Sequence, residues 1–531
     1  MRKNISLSIF SGLLLGLSWP TYGFTILLFI GLVPLLKLIN SINTAYTNKK
    51  YIYVFSYSYL TFFIWNIMTT WWIYNSSSFG AIFAILCNSL FYSILCVIYY
   101  WSLGRLSKLS STIFFIAIWI SFEKFHLNWD FTWPWLNLGN GFSEKIYWIQ
   151  WYEYTGIFGG TLWILILNFG FYNLIEFHKK TINKNASIIR LFKLLILILL
   201  PLLISFFILK NKKPLKQKAN IILVQPNIDP YKEKYFTTNT QNLKLITDLV
   251  NDHLNDTIDY IIAPETFFSE GNGEDIDQLA QSNLLRSIYE FSNQYKNLNI
   301  ISGIQLFKIK YGKDPIDQNS ILIKEDFWAN FYNSAIQINN KDNYQIYNKS
   351  KFVPGVEMMP YKSFFNPLIG DFMLDLGGTV SSRTPQKNRL VFTNSNLNIS
   401  TAPIICYESI YGSFLTEFTR KGANFFTIIT NDGWWGNTEG HKQLLSYSKL
   451  RAIENRRSIA RSANTGISAF INIYGEIESI LDYDKKGILK RSLFLNDEIT
   501  FYVKYGDFIA RFAVFFSLIL LSIALSGRFK A

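Results

Sequence analysis

The chain opens on long apolar runs, changes near residue 219 to short alternating ones, and closes on one more long run. Stretches of membrane-spanning length fall at 5–22, 24–42, 52–74, 80–103, 110–127, 155–177, 191–209 and 509–527. The pattern predicts a polytopic α-helical membrane domain of about eight spans, seven within residues 1–210 and one at 509–527. The first run reads as a span and not a cleaved leader, because no small-x-small site precedes the next apolar run. Residues 219–503 instead carry short β-rich runs at Ile221–Gln225, Tyr260–Ala263, Ile300–Leu306, Ser334–Ile338, Thr401–Ile405, Phe425–Thr430 and Gly466–Ile473. Helical patterns at Asn242–Leu254 and Gln278–Asn293 lie between some of them. Strands alternating with helices predict a layered α/β domain.

Composition sharpens this picture. Half of the 531 residues are hydrophobic and 17% are charged, which argues against a compact water-soluble enzyme and against disorder. The net charge of +14 is not spread evenly. Between Ala219 and Val503 there are 28 basic and 31 acidic residues; the apolar flanks hold 23 and 6. A nucleic-acid binder would carry its basic patch on the folded domain, so no nucleic-acid partner is expected.

The flanking charge reads as membrane topology. With a cytoplasmic N-terminus, inside connections carry Lys49 and Lys50, Arg105 and Lys108, and Lys179, Lys180, Lys184, Arg190 and Lys193, and the C-terminus adds Arg528 and Lys530. Of the outside loops, 128–154 carries only Lys145. The positive-inside rule then puts both termini in the cytoplasm and residues 219–503 outside. Lys210, Lys212, Lys213, Lys216 and Lys218 oppose this, but they border a long translocated domain, where the rule applies poorly. They read as a solvated linker, with anionic headgroup contact as the sharper alternative. The tryptophans and tyrosines of 128–154 read chiefly as an interfacial aromatic belt, with a lipid-substrate rim as the alternative.

Candidate chemistry is confined to a few residues. Cys406 is the one cysteine of the polar domain; Cys87 and Cys96 fall in the fourth span. A lone thiol after an apolar strand is a buried filler or a nucleophile. The histidines 126, 178, 253 and 441 fit no zinc spacing, and there is no GxSxG elbow, GxGxxG or Walker A sequence, so neither metal nor cofactor is expected. Three apolar runs stop at reactive groups: Tyr260–Glu265, Tyr347–Pro354 with Lys349 and Lys351, and Ile404–Glu408 with Cys406. A carboxylate can deprotonate a thiol, and a fixed ammonium can stabilise a thiolate or an oxyanion.

This Glu/Lys/Cys set resembles the nitrilase (carbon–nitrogen hydrolase) superfamily, whose members fold as an α-β-β-α sandwich. The membrane spans narrow the resemblance to the apolipoprotein N-acyltransferase family. It covers essentially the whole chain, through Pro134-Trp135, Leu138-Gly139, Val224-Gln225-Pro226-Asn227-Ile228, Pro264-Glu265-Thr266, Cys406-Tyr407-Glu408, Asn431 to Gly436, Arg451 to Glu454 and Arg461 to Gly466. The resemblance implies Glu265 as general base, Lys349 as thiolate and oxyanion stabiliser and Cys406 as nucleophile. Lys349 is preferred over Lys351 because the family carries a Glu eight residues after its Tyr-x-Lys, and Glu357 stands there. Glu357, Tyr407 and Glu408 would be accessory residues, and Trp434 and Tyr235 would contact substrate. Gly355-Val356-Glu357 departs from the family's Phe-Gly-Glu, and Tyr235 stands where a tryptophan is common.

The implied reaction takes an acyl chain from a phospholipid onto Cys406 as a thioester. It then passes to the N-terminal α-amine of a diacylglyceryl apolipoprotein. The implied setting is the bacterial inner membrane, with a monomer acting at the lipid bilayer and its catalytic domain facing the periplasm. Apolar Met358–Leu376 would serve as a lid or as ordinary packing. Two rivals share these residues: a membrane-tethered nitrilase-type amidase, and a lipid-binding or transport protein with an inactive enzyme domain.

Overall fold

The computed structural model describes residues 2–45, 49–180, 184–234, 236–339, 343–358, 360–361 and 383–527. Two compact units are present. One joins Met1–Tyr74, Ser78–Lys212 and Tyr505–Ala531; the other joins Lys213–Lys504 with Asn75–Ser77.

The first unit is helical: α1 (Arg2–Gly16), α2 (Val33–Ala45), α3 (Lys50–Thr70), α4 (Ser78–Leu103), α5 (Lys108–Phe125), α6 (Ile157–Lys180), α7 (Lys184–Lys210) and a C-terminal helix, Phe508–Ser526. Among the described residues, five segments are long and apolar enough to cross a membrane: Thr25–Ile42, α4, α6, α7 and the C-terminal helix. The expected count of about eight is therefore not reached on that measure. The other three expected spans coincide with α1, α3 and α5. At 15 residues, α1 would reach only about 22 Å, against roughly 30 Å of hydrocarbon.

α3 is long enough but turns a polar set inward. Ser58, Thr61, Asn66, Thr69 and Thr70 are all buried, and Asn88 of α4 donates to Asn66 Oδ1 at 2.7 Å. Polar side chains joining helices in this way replace the water that a bilayer lacks. The second expected span is broken: a 3-10 turn at Thr25–Phe29 precedes α2. Asn168 repairs the break, accepting from Leu32 N and donating to Leu28 O, each at 2.7 Å. Such side-chain repair is what irregular backbone in an apolar setting requires.

The 128–154 loop is more buried than a belt would be. Trp135 is fully enclosed and Trp151 nearly so. Trp135 stacks on Trp133 at 5.3 Å and meets Trp72 at 4.8 Å. Only some rings, Tyr147 and Tyr154 among them, are exposed. Buried Glu123 ties the loop down, accepting from Leu138 N at 2.8 Å, Thr161 Oγ1 at 2.7 Å and Trp119 Nε1 at 3.1 Å.

The second unit holds two sheets. Its strands are β1 (Lys218–Gln225), β2 (Tyr260–Ile262), β3 (Glu274–Asp275), β4 (Asn299–Tyr311), β5 (Ile321–Lys324), β6 (Phe327–Asn339), β7 (Tyr344–Asn348), β8 (Phe392–Asn394), β9 (Ile399–Ile405), β10 (Phe425–Thr430), β11 (Ser458–Ala463), β12 (Ser468–Ile471), β13 (Ile477–Leu481) and β14 (Gly487–Phe494). The first sheet runs β14-β1-β2-β4-β6-β5, with β3 on β4 and β7 on β6; the second runs β13-β12-β11-β10-β9-β8. The cores β1-β2-β4 and β9-β10-β11 are parallel, and their near-continuous burial matches a sheet covered on both faces.

The sheets meet face to face: Ser462 Oγ of β11 donates to Val224 O of β1 at 2.8 Å, and Tyr260 meets Phe425 edge-on at 5.5 Å. Helices α8 (Asn239–Val250) and α9 (Asn283–Ser292) bury Leu243, Ile246, Leu285 and Ile288 against the outer face of the first sheet. α10 (Gly412–Arg420) and α11 (Glu439–Asn455) flank the second. The layers are thus the expected α-β-β-α.

The lysine run before β1 is partly engaged: Lys213 pairs with Glu498, and the Lys218 amine sits 4.3 Å from the Phe494 ring.

Gly303 on β4 shows how tightly the first sheet holds the segment after β2. Its N–H donates to Pro264 O at 3.0 Å. A Cβ there would lie 2.2 Å from Thr266 N and 2.6 Å from Glu265 C. Gly303→Ala is therefore expected to destabilise the α/β unit by about 1–3 kcal/mol, the usual cost of overpacking, read as a lowered melting temperature of the full-length protein.

Candidate active site

Strand ends build the site. Glu265 lies three residues past the end of β2, Lys349 directly follows β7, and Cys406 directly follows β9. The first two hang on one sheet and the third on the other. Cys406 takes a φ of 50°, in the left-handed region, where a side chain costs energy unless its surroundings fix it. Here the chain leaves β9 and at once enters a 3-10 helix, Cys406–Ile410. The turn is held from below: Arg451 Nη1 donates to Ile410 O at 2.8 Å, and Arg451 pairs with Glu454, both fully buried. The Arg451 to Glu454 motif is thus a support for the Cys406 turn.

Lys349 is the centre of the polar cluster. It is 1% exposed, and its Nζ lies 2.9 Å from both Glu265 Oε1 and Glu357 Oε1. Asn333 of β6 also donates to both carboxylates, at 2.8 and 3.1 Å. The outer oxygens are satisfied by backbone: Asn431 N donates to Glu265 Oε2 and Val353 N to Glu357 Oε2, each at 3.0 Å. Lys349 and Glu357, eight residues apart in sequence, are thus brought together. Lys351 points elsewhere, its amine 5.1 Å from the Tyr411 ring.

The charges follow from these contacts. Burial alone would raise the Glu265 carboxyl, but the Lys349 ammonium and the Asn333 amide hold it below its ordinary range. Burial likewise works to lower Lys349, and the two carboxylates outweigh it, so the ammonium persists far into alkali. Cys406 is pushed up to about 12, first by burial and then by the Glu265 charge, with Lys349 and a Thr430 hydrogen bond opposing. The resting site therefore holds a neutral thiol beside an ionised carboxylate and an ionised lysine. Deprotonation of that thiol is uphill at rest.

Glu408 and Tyr407 lie outside this trio. Glu408 accepts from Tyr347 Oη at 2.8 Å, Ser350 N at 2.7 Å and Ile405 N at 2.9 Å. It clamps the end of β9 to the segment after β7, so it sets the Cys406–Lys349 spacing. Burial raises its carboxyl to about 7 despite these bonds. Tyr407 is buried edge-on to Tyr411 at 5.5 Å. Trp434 follows β10, with Tyr231 edge-on at 5.0 Å. Tyr235 lies outside the described residues, as does most of Met358–Leu376.

The remaining motifs are structural. Buried Asp432 pairs with buried Arg461 at 2.6 Å. Asn464 accepts from Ile228 N at 3.0 Å and donates to Ile228 O at 2.7 Å, and Gln225 accepts from Ser468 N at 3.0 Å. Asn333 is the residue that sequence reasoning missed. It carries no distinct signal, because the same strand also holds Asn330, Ser334, Gln337 and Asn339. Among the described residues no cluster of His, Cys, Asp and Glu is placed to hold a metal ion.

Residues 11–170 match the apolipoprotein N-acyltransferase N-terminal domain, and residues 220–499 match the carbon-nitrogen hydrolase family. The chain is 26% identical to an apolipoprotein N-acyltransferase of Chlorobaculum tepidum, over 96% of this chain and 94% of the relative. It is 27% identical to apolipoprotein N-acyltransferase 1 of Treponema denticola, over 95% and 93%, and 23% identical to the enzyme of that name from Thermotoga maritima, over 95% and 90%. With the hydrolase match spanning more than half its length, and a buried Glu–Lys pair set at strand ends beside a cysteine turn, the chain belongs to the carbon-nitrogen hydrolase family.

Proposed function

We propose that this protein is an acyltransferase that moves an acyl chain from a phospholipid, through a thioester on Cys406, to the N-terminal α-amine of a diacylglyceryl-cysteine apolipoprotein. The observation that carries the reading is Lys349, buried between Glu265 and Glu357 at 2.9 Å from each, in a chain that aligns with named N-acyltransferases over almost its full length. The match of residues 11–170 to the N-acyltransferase N-terminal domain disfavours both a simple tethered amidase and an inactive lipid-binding protein.

In the first half-reaction the Cys406 sulfur attacks the ester carbonyl while Glu265 takes the thiol proton. The Lys349 ammonium stabilises the negative charge that develops on sulfur and then on the carbonyl oxygen. Glu265 returns the proton to the leaving lysophospholipid oxygen. In the second half the acceptor amine attacks the thioester, Glu265 takes its proton, and that proton passes to the departing thiolate. A dry site is required, since water would hydrolyse the thioester.

The domain assignment follows: residues 1–210 as a seven-span membrane domain, 219–503 as an extracytoplasmic catalytic domain and 509–527 as a last span, in the bacterial inner membrane with both termini cytoplasmic. The basic inner loops support this sidedness. Glu357, Tyr407 and Glu408 serve as supports, and Trp434 with Tyr235 as substrate contacts.

Four outcomes test the reading. Incubation with phospholipid should add a fatty acyl mass to Cys406. Cys406→Ala should abolish acyl transfer while Cys87→Ala and Cys96→Ala keep it; normal transfer by Cys406→Ala refutes the mechanism. Lys349→Met should lose roughly two or more orders of magnitude in rate, on the scale of removing an oxyanion donor, and Lys351→Met far less; the reverse ranking refutes the assignment of Lys349. Lastly, a cysteine at exposed Asn272, in a Cys87→Ala, Cys96→Ala background, should react with a membrane-impermeant thiol reagent in intact spheroplasts. Labelling only after lysis would place the domain in the cytoplasm.

A further inference from the structure

A lysine that the mechanism leaves unused shares a wall with its base. Lys234, Thr237, Asn242, Glu265, Thr266 and Asn431 line one hollow, and Lys234 is the sole cation among its lining residues. The Lys234 Nζ donates to Thr266 Oγ1 at 2.5 Å. Thr266 Oγ1 donates in turn to Glu265 O at 2.8 Å. The amine is thus tied through one hydroxyl to the backbone of the proposed base. Thr266 itself sits at a φ of 48°, a conformation that needs such anchoring. On its other side the Lys234 amine is 5.4 Å from the Trp434 ring, one of the proposed substrate contacts.

Charge counting says what this lysine is for. Within the hydrogen-bonded cluster, Glu265 and Glu357 against Lys349 leave one negative charge in excess, with Lys234 facing Glu265 and Arg383 also near Lys234. A thiolate forming on Cys406 would add a second, which burial makes costly. An ammonium at Lys234 cancels the first. Taking the assignment of Cys406 as nucleophile, we propose that Lys234 is a second active-site lysine, a positioning residue that fixes the Glu265–Thr266 turn and supplies the positive charge that lets the Cys406 thiolate form.

The surrounding groups are consistent with that role. Lys234 feels Glu265 and Cys406 as attractive charges and Arg383 and Lys349 as repulsive ones. Glu265 is faced by Lys349, Asn333 and Lys234, and its like-charged neighbour Asp432 is paired with Arg461. Burial lowers Lys234 to about 8, with Glu265 opposing. The ammonium is therefore present at neutral pH and is lost as pH rises through that value.

The test is alkylation of Cys406 by iodoacetamide in the detergent-solubilised full-length protein, followed by mass spectrometry of the Cys406 peptide from pH 6 to 10. Lys234→Met should react about tenfold or more slowly at pH 7, as loss of a close counter-charge implies, and its rise with pH should move upward. Lys234→Arg should stay close to wild type at pH 7 and lack the inflection near pH 8. Superimposable profiles for wild type and Lys234→Met overturn the proposal. So does a Lys234→Arg profile that retains the wild-type inflection near pH 8, a result that counts even if Lys234→Met does not fold. Alkylation needs no phospholipid, so failure to trap a thioester in the wild type would refute acyl transfer while leaving this measurement to decide the role of Lys234.

Discussion

The proposed site is arranged first of all around the buried ammonium of Lys349. Lys349 is sealed from water, and an unpaired charge at such a position would be far too costly to keep. Two carboxylates make it affordable, and the same contacts fix where both carboxylates point. Glu265 is thereby kept ionised despite its burial, which is the condition for it to accept a proton from a thiol. The pairing thus serves structure and chemistry through one set of hydrogen bonds. Replacing it with apolar packing of the same volume could preserve the fold and would remove the proposed base.

The second constraint is that the proposed reacting groups come from two sheets. Glu265 and Lys349 follow strands of one, and Cys406 follows a strand of the other. Their mutual spacing is a property of sheet-on-sheet packing. Glu408 spans this division, accepting from Ser350 N on one side and Ile405 N on the other. Tyr347, Ser350, Ile405 and Lys351 all donate to it, which accounts for its burial without an ion pair among the described residues. The Arg451–Glu454 and Arg461–Asp432 pairs supply rigidity beneath the Cys406 and Trp434 turns, so the charge inside this unit is spent mostly on holding strand ends still.

The sequence was most legible where burial leaves long apolar runs. Phe425–Thr430 was read to the residue, and the strands holding Ile221, Tyr260 and Thr401 were found with ends a few residues off. Strands carrying charge were missed: β14 contains Lys490 and Arg491, and its outward face does not stand out from a loop. Helix α11 was missed for the opposite reason. Nearly all of it is buried, so it lacks the one-sided apolar stripe that marks a surface helix. In the helical unit the polar residues of α3 face inward, which lowers the apparent apolarity of a helix that is nonetheless long. At the site, Glu265, Cys406 and the Lys349/Lys351 pair stood out because each closes an apolar run, and the family resemblance singled out Lys349. Asn333 and Lys234 were not, because an asparagine within a strand and a lysine within a turn have no distinguishing pattern until the chain folds them against Glu265.

The order of strands in the first sheet sets a timetable for making the protein. β1, the first strand of its unit to leave the ribosome, pairs along its whole length with β14, the last, in register from Lys218 opposite Phe494 to Gln225 opposite Gly487. One edge of β1 therefore stays open until some 270 residues later have been synthesised. Contacts so distant in sequence form slowly, and an unpaired apolar edge is an invitation to wrong pairing. The α/β unit cannot close as its N-terminal part emerges. It has to wait, incomplete, until the strand just before the C-terminal helix arrives, which makes the interval between synthesis of β1 and β14 the period of greatest exposure to misfolding.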